Sequence, residues 1–291
     1  MTGKKRPVGR VVDISLDAWD LRHLLLSLED RPRGSVDDED LAGVVARAVA
    51  SLAALPRRPT IKVPRGRTSP LLVQALPLWI LETNAWLLAP DGAGGECVIV
   101  DVPPSPGALV ERLHRLHLRP AAVVLTHAHA DHTGGVAALL EALGAAVPVL
   151  VHPADRDLVL HPELEGVLAR MCGDVRPPPA AALVPFGDGD VLTVGRATVR
   201  ALHVPGHTPG SLCLLVEGGA SPLLLTGDTL FAGGAGRCDL PGGSRVQAEA
   251  SLAALLAALA EDTVVLPGHG GITTVGRESD RHVVTGPTLA A

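Results

Sequence analysis

The sequence predicts an α/β protein built from two β-sheets, each covered on its outer face by helices. Two observations lead to this prediction. From residue 71 onwards, short apolar runs are separated by glycine and proline, which is typical of buried strands joined by turns. Apolar runs of helical length lie between these strands, and the alternation occurs in two successive blocks of the chain.

The strands and helices of each block follow from these runs. The predicted strand segments are rich in valine and leucine, and they cover 78–89, 96–102, 121–127, 147–152, 190–207, 211–219, 221–228 and 263–269. The predicted helices are alanine- and leucine-rich and cover 105–118, 134–144 and 245–262. The turn PDGAGG joins the first two strands.

The first 66 residues differ from the rest of the chain. Ser35 is a candidate N-cap, acidic residues follow it, and an alanine-rich run then continues to Pro56. Residues 57–70 have the proline-rich composition of a linker. We therefore expect a mainly helical extension with its linker over 1–66 and one main domain over 67–291.

Composition excludes several partners. The net charge of −6 offers no basic surplus for nucleic acid. No apolar segment follows the basic N-terminus, as a secretion signal would require, and no run is long enough for a membrane span. The four cysteines are scattered without CxxC spacing. We expect a cytoplasmic protein that binds neither nucleic acid nor membrane, with no indication of its oligomeric state.

A cluster of metal-ligand residue types follows the predicted strand 121–127. Within six positions the chain carries His127, His129, Asp131 and His132, and Gly134 and Gly135 follow. Imidazole and carboxylate bind zinc or iron, and the H-x-H spacing places two imidazoles on one side of an extended segment. The spacing distinguishes this motif from a solvated polar loop, although four ligands do not complete two metal sites.

Three further candidates occur later in the same setting. His207, Asp228 and His269 each follow an apolar run and stand next to glycine or in a glycine-rich loop. Five other histidines are weaker candidates, and of these His203 is the best placed to orient a ligand. The remaining four are His114, His117, His152 and His161.

Together these motifs resemble the metallo-β-lactamase superfamily. The likeness covers about residues 71–285 and rests on H-x-H-x-D-H, PGHTPGS, TGDTLF and LPGHG. It is closer to the glyoxalase II (hydroxyacylglutathione hydrolase) branch because of GDTLFAGGAGRCDLPGG at 227–243 and TTVGRE at 273–278.

The resemblance implies a four-layer αββα sandwich with a dinuclear site. His127, His129 and His207 would bind one ion, and Asp131, His132 and His269 the other. Asp228 would bridge the two ions. Zinc is the usual metal of this branch, and iron and manganese also occur in it.

The same resemblance implies a metal-dependent hydrolase that cleaves a thioester by attack of a metal-bridging hydroxide. Asp131 is suited to aim that hydroxide, and Arg237 is a candidate contact for an anionic group of the substrate. The substrate would be a small-molecule or carrier-bound thioester. Cys238 is expected to be a bystander, and Trp79 and Trp86 are expected to lie in the core.

Three departures from the branch put glutathione in doubt as the thiol. Only 22 residues follow His269, so the C-terminal helical domain of full-length glyoxalase II is not expected. The chain has no tyrosine, and Cys238 stands where related hydrolases often have threonine.

Other functions stay open at this point. The first alternative is a persulfide dioxygenase with one iron, which would leave the second ligand set idle. A lactonase, another ester or lactam hydrolase and a non-catalytic binding protein rank below it. The complete set of seven ligands favours a catalyst with two metals.

Overall fold

The structure is a computed structural model that describes residues 71–173, 175–218 and 221–279. The predicted extension over 1–66 and its linker therefore lie outside the described residues. Within the described ranges, no helix combines the length and the apolar composition needed to cross a lipid bilayer.

Twelve strands in these ranges form two six-stranded sheets. The first sheet contains β1 (Leu72–Leu78), β2 (Thr83–Ala89), β3 (Glu96–Val100), β4 (Arg119–Val124), β5 (Val149–Val151) and β6 (Leu183–Pro185), paired in that order. The β1–β2 and β2–β3 pairs are antiparallel, and the strands from β3 to β6 are parallel.

The second sheet has a comparable plan. It contains β7 (Val191–Val194), β8 (Ala197–His203), β9 (Leu212–Glu217), β10 (Leu223–Gly227), β11 (Val264–Pro267) and β12 (Thr273–Thr274). The strand order is β12-β11-β10-β9-β8-β7, and β10–β11 is the parallel pair among them.

Helices connect the strands and cover both sheets. They are α1 (Gly107–Arg115), α2 (Ala130–Thr133), α3 (Val136–Leu143), α4 (Arg156–Leu160), α5 (Val167–Met171), α6 (Arg245–Ala258) and α7 (Val275–Ser279). Short 3-10 helices occur at Pro153–Asp155, Pro162–Glu165 and Ala180–Ala182. The helix α6 begins at an N-cap, where the Ser244 hydroxyl accepts a hydrogen bond from the Gln247 amide.

Side-chain alternation along the strands builds four layers. In β2, Trp86 faces the second sheet, whereas Leu87 points to the opposite face and packs with Leu109 of α1 and Leu139 of α3. On the far side of the second sheet, Leu224 packs against Leu252 of α6. The layer order is therefore helix, sheet, sheet, helix, which confirms the predicted αββα sandwich.

Two predicted strand segments are interrupted. The segment 190–207 is a hairpin in which β7 pairs antiparallel with β8. The sequence predicts a strand from 78 to 89, but β1 ends at Leu78 and a turn over 79–82 precedes β2. The apolar residues of this turn pack outside both sheets, in a small cluster with side chains of helix α5 and of the loop after Arg237. The β1 segment itself was not predicted as a strand. Pro77 is tolerated there because β1 lies at the edge of the described sheet.

We predict that Leu214→Ala destabilises the protein by about 3 kcal/mol, because Leu214 is fully buried between the sheets and truncation leaves a cavity. Val246 is 78% exposed, so Val246→Ala should change the free energy of unfolding by less than about 0.5 kcal/mol. Urea denaturation checks both values. Equal stability of the two variants would contradict the assignment of Leu214 to the inter-sheet core.

Candidate metal centre

The seven candidate ligands all lie on segments that follow strands. His127 and His129 follow β4, and α2 carries Asp131 and His132 directly after them. The other three, in chain order, follow β8, β10 and β11, and they are His207, Asp228 and His269. All seven side chains are buried, and the structure brings them into one cluster.

His127, His129 and His207 form the first group of donors. One ring nitrogen from each lies within 4.8 Å of the others. The Nε2 atoms of His127 and His207 are 3.2 Å apart. These are the three residues that the family resemblance assigns to one ion.

Asp131, His132 and His269 form the second group. The Nε2 atoms of His132 and His269 are 3.3 Å apart, and Nε2 of His269 is 3.2 Å from Oδ2 of Asp131. All three donor atoms again lie within 4.8 Å of one another. This group matches the second predicted triad.

Asp228 stands between the two groups. Its Oδ2 is 3.6 Å from Nε2 of His207, whereas its Oδ1 is 3.2 Å from Nε2 of His132. One carboxylate oxygen therefore faces each triad. This is the arrangement that a bridging carboxylate requires.

The spacing of these donors fits divalent ions. Two ligands at 2.0–2.1 Å from a tetrahedral ion are about 3.3 Å apart. The Nε2–Nε2 and Nε2–Oδ separations within the cluster, from 3.2 to 3.6 Å, are close to that value. Nitrogen and carboxylate oxygen are also the donors that zinc and iron accept. The cluster therefore suits a pair of divalent metal ions.

The seven ligands lie inside a sequence region shared with known proteins. The model of the metallo-beta-lactamase superfamily matches residues 79–269, which contain every candidate ligand. The chain belongs to this superfamily. Membership makes the protein a metallo-hydrolase, as the sequence predicts at that level.

One curated protein similar to this chain is the hydroxyacylglutathione hydrolase GloC from Haemophilus influenzae. It is 29% identical over 210 residues, which cover 71% of this chain and 94% of the relative.

Two solved structures are also similar to this chain. BLEG-1, a B3 metallo-beta-lactamase, is 36% identical with a TM-score of 0.63, and the match covers 72% of this chain and 97% of BLEG-1. TTHA1623, solved in a di-iron-bound form, is 34% identical with a TM-score of 0.55, and the match covers 76% and 97%.

Backbone carbonyls orient two of the imidazoles of this superfamily member. Nδ1 of His269 lies 3.1 Å from the carbonyl oxygen of Leu81, and Nδ1 of His207 lies 2.5 Å from the carbonyl oxygen of Arg237. In both rings the Nδ1 proton is donated to the carbonyl, so the Nε2 lone pair is directed into the cluster.

Asp101 is a site residue that the sequence analysis missed. Its Oδ2 is 2.8 Å from Nδ1 of His132 and accepts a hydrogen bond from the Thr126 hydroxyl at 2.8 Å. Its Oδ1 accepts the Thr126 amide, also at 2.8 Å. The signal was present, because Asp101 follows the buried strand β3 as Asp228 follows β10.

Asp155 is a second missed residue, and it connects two ligand loops. Its Oδ2 accepts hydrogen bonds from the Ala128 amide at 3.0 Å and from the Thr208 hydroxyl at 2.7 Å. Its Oδ1 accepts the Gly210 amide at 2.6 Å. A side chain at Gly210 would overlap Asp155, because a Cβ there would lie 2.6 Å from the carboxylate carbon. The sequence around Asp155 contains no ligand motif that could have indicated this role.

The two triads differ in their electrostatics. Burial, together with the neighbouring imidazoles of His132, His207 and His129, holds the pKa of His127 well below its ordinary value. Burial also lowers the pKa of His132, but the carboxylates of Asp131, Asp228 and Asp101 outweigh it and raise that pKa to about 10. The second group therefore has more carboxylates around it than the first group, and it attracts a cation more strongly.

The other predicted residues lie outside the donor set. The guanidinium of buried Arg237 donates two hydrogen bonds to the Asp239 carboxylate, so its contact with substrate stays a prediction. His203 stacks on His152 with ring centroids 4.1 Å apart, and its Nε2 lies 2.9 Å from the Pro209 carbonyl, in the loop of His207.

Two tryptophans and one cysteine singled out in the sequence are not among the candidate metal ligands. Trp86 is buried in the inter-sheet core as predicted, whereas Trp79 lies in the turn after β1 and is partly exposed. Burial, with a smaller contribution from Asp239, raises the pKa of the Cys238 thiol, which is unfavourable for a nucleophile.

We predict that Asp155→Asn weakens metal binding by about 10- to 100-fold. An asparagine amide nitrogen cannot accept a hydrogen bond, so at least one donor on the His127 or His207 loop loses its partner. Asp157→Asn, an exposed change two residues away, is the matched control. Competition with a zinc chelator measures both affinities, and equal affinities would contradict the role of Asp155.

We also predict that His132 of the metal-free protein keeps its proton up to pH about 10, whereas Asp101→Asn lowers this pKa by removing one adjacent carboxylate charge. The folded state holds this proton more tightly than the unfolded chain. The resulting stabilisation is complete below pH about 6.5 and is lost as the pH rises through about 10. NMR titration of labelled histidine rings checks the values; titration of His132 near 6.5 would contradict the prediction.

Proposed function

We propose that the protein is a dinuclear metal-dependent thioester hydrolase. The observation that carries the proposal is the complete donor cluster, in which Asp228 has one oxygen towards each triad. The similarity to GloC, a hydroxyacylglutathione hydrolase, supports the thioester class. Zinc is the metal we propose, and the similarity to the di-iron-bound TTHA1623 makes iron the alternative.

The chain's own residues would prepare the attack. When bound, the divalent ions supply a water that is acidic near neutral pH and a positive charge for the substrate carbonyl. Asp131 is suited to accept a hydrogen bond from the attacking water and to aim it. The Thr83 hydroxyl, 3.3 Å from Oδ2 of Asp131, fixes the orientation of that carboxylate.

The leaving group distinguishes a thioester from an amide or a lactam. In hydrolysis the C–S bond breaks, the water oxygen joins the carbonyl carbon, and the sulfur departs as a thiolate. A thiol has a pKa near 8.5, so its thiolate leaves without a strong proton donor. The chain has no tyrosine, which removes one common donor for an amine or alkoxide leaving group.

Lactam hydrolysis is the second candidate function, because BLEG-1 is described as a metallo-beta-lactamase. It ranks lower, because a departing amine must be protonated. The persulfide dioxygenase would need molecular oxygen and one iron, and it would give the second triad no role. The second triad is buried and compact in this protein, which favours two ions.

The substrate would be a small-molecule or carrier-bound thioester, and the protein would act in the cytoplasm. The four cysteines form no disulfide, which agrees with a reducing compartment. Glutathione is one candidate thiol among several for this proposal, because the tyrosine that helps to bind glutathione in glyoxalase II has no counterpart in this chain.

Metal quantification and a substrate panel test this function. We expect two zinc ions per chain and turnover of a thioester in preference to its matched oxygen ester and to a β-lactam. Asp228→Ala should lower kcat by at least about a thousandfold by removing the bridging carboxylate, whereas exposed Asp157→Ala should keep it. One iron with oxygen uptake on a persulfide, or preferred lactam cleavage, would refute the proposal.

A further inference from the structure

A small apolar cluster is formed by a turn, a helix and a loop rather than by the sheets. It consists of Trp79, Ile80, Leu81, Leu168, Met171 and Leu240, and we call it the loop cluster. These residues come from three segments that are distant in sequence: the turn between β1 and β2, the helix α5, and the loop after Arg237. The three larger apolar clusters of the described residues are built around the sheets.

The first of these segments contacts the second triad directly. The carbonyl oxygen of Leu81 lies 3.1 Å from Nδ1 of His269. Trp79 and Glu82, at the two ends of the same turn, have φ angles of 60° and 49°. Left-handed conformations cost energy in residues other than glycine and occur often at functional sites. The turn therefore places the Leu81 carbonyl against His269, one of the candidate metal ligands. It also places the side chains of Trp79 and Ile80 in the loop cluster.

The second segment packs against the helix that carries two ligands. The helix α5, with Leu168 and Met171, packs on α2, which contains Asp131 and His132. Just before α5, the Glu165 carboxylate accepts a hydrogen bond from the Ala130 amide of α2 at 2.9 Å. This contact fixes the side of the donor cluster on which α5 lies.

The third segment reaches the first triad. The carbonyl oxygen of Arg237 lies 2.5 Å from Nδ1 of His207, and Leu240 follows three residues later. The loop cluster is therefore assembled from segments that touch the loops of His207 and His269 and the helix of Asp131. Its position next to the donor cluster follows from these three contacts together.

The loop cluster presents part of its surface to solvent. Leu81 and Leu168 are buried and form its base. The other four side chains, Trp79, Ile80, Met171 and Leu240, are only partly buried. Partly exposed apolar side chains from a turn, a helix and a loop lie here near buried polar groups, a combination that occurs in substrate pockets.

We infer that the loop cluster binds the acyl group of the substrate and selects an apolar chain. The inference rests on the proposed thioester hydrolase function, because it places the acyl carbon at the donor cluster and its chain against Met171 and Leu240. Removing each methylene of the chain from water should raise affinity about fourfold until the surface is covered. A short or hydroxylated acyl group would gain little from this surface.

Two measurements on the zinc-loaded protein test the inference separately from the function. Calorimetry with straight-chain carboxylates, the acyl products, from acetate to decanoate gives affinity without turnover. Hydrolysis of N-acetylcysteamine thioesters with the same acyl groups gives kcat/KM. We expect both to rise with chain length to an optimum, at about fourfold per methylene. A matched 2-hydroxyacyl thioester should be a poorer substrate than its unsubstituted counterpart.

Two variants with different expected effects test whether the loop cluster selects the length of the acyl chain. Leu240→Ala should lower affinity for the optimal carboxylate about tenfold, and Met171→Trp should move the optimum to a shorter chain. Leu259→Ala is the control, since Leu259 is also a partly buried leucine but lies at the far end of α6 from the His207 loop. It should leave the chain-length profile unchanged.

The outcomes separate the two proposals. Chain-length-dependent carboxylate binding without thioester turnover would support the apolar pocket and refute the hydrolase. Turnover with affinity independent of chain length, or a profile that Leu240→Ala and Met171→Trp leave unchanged, would overturn the acyl assignment. Better binding of 2-hydroxy acids than of their unsubstituted counterparts would also overturn it.

Discussion

The contact between Asp101 and His132 is the interaction on which the site depends most. One carboxylate orients the imidazole of a ligand and, through both oxygens, fixes Thr126 immediately before His127. Thr126 also joins the sheets, because its carbonyl accepts the Leu212 amide at 2.7 Å and its side chain packs on Gly227. A Cβ at Gly227 would lie 2.4 Å from the Thr126 hydroxyl, so glycine is required there.

Burial of so many polar groups is unfavourable unless each has partners, and the fold supplies them from outside the donor set. Asp101 and two backbone carbonyls accept hydrogen bonds from ring nitrogens that face away from the donor atoms, and Asp155 accepts hydrogen bonds from amides and a hydroxyl of the ligand loops. Imidazoles lie close together among the inner atoms, and burial together with these neighbouring rings holds the pKa of His127 well below its ordinary value. Divalent cations would relieve this repulsion, so metal binding and folding should stabilise each other.

The same loops that hold the donors also set the surroundings in which a substrate would lie. The turn after β1 illustrates this, because one residue contacts a ligand through its backbone while its neighbours contribute apolar side chains. The metal-ligand groups that would carry out the reaction are therefore separate from the apolar side chains that would select the substrate, although the same segments position both. A change in the apolar side chains can alter the preferred acyl group while the donors keep their geometry.

The sequence by itself predicted the layers and the seven candidate donor residues, and the family resemblance implied their division into two triads. Strand periodicity is local, and H-x-H-x-D-H places four donors within one loop and helix. Tertiary structure alone decided which distant residues support these donors: Asp155 contacts loops 27 and 55 positions away, and Leu81 meets His269 across 188. It also decided that the run after Leu78 leaves the sheet. Such contacts depend on side chains that meet only after the sheets pack, and no local pattern records them.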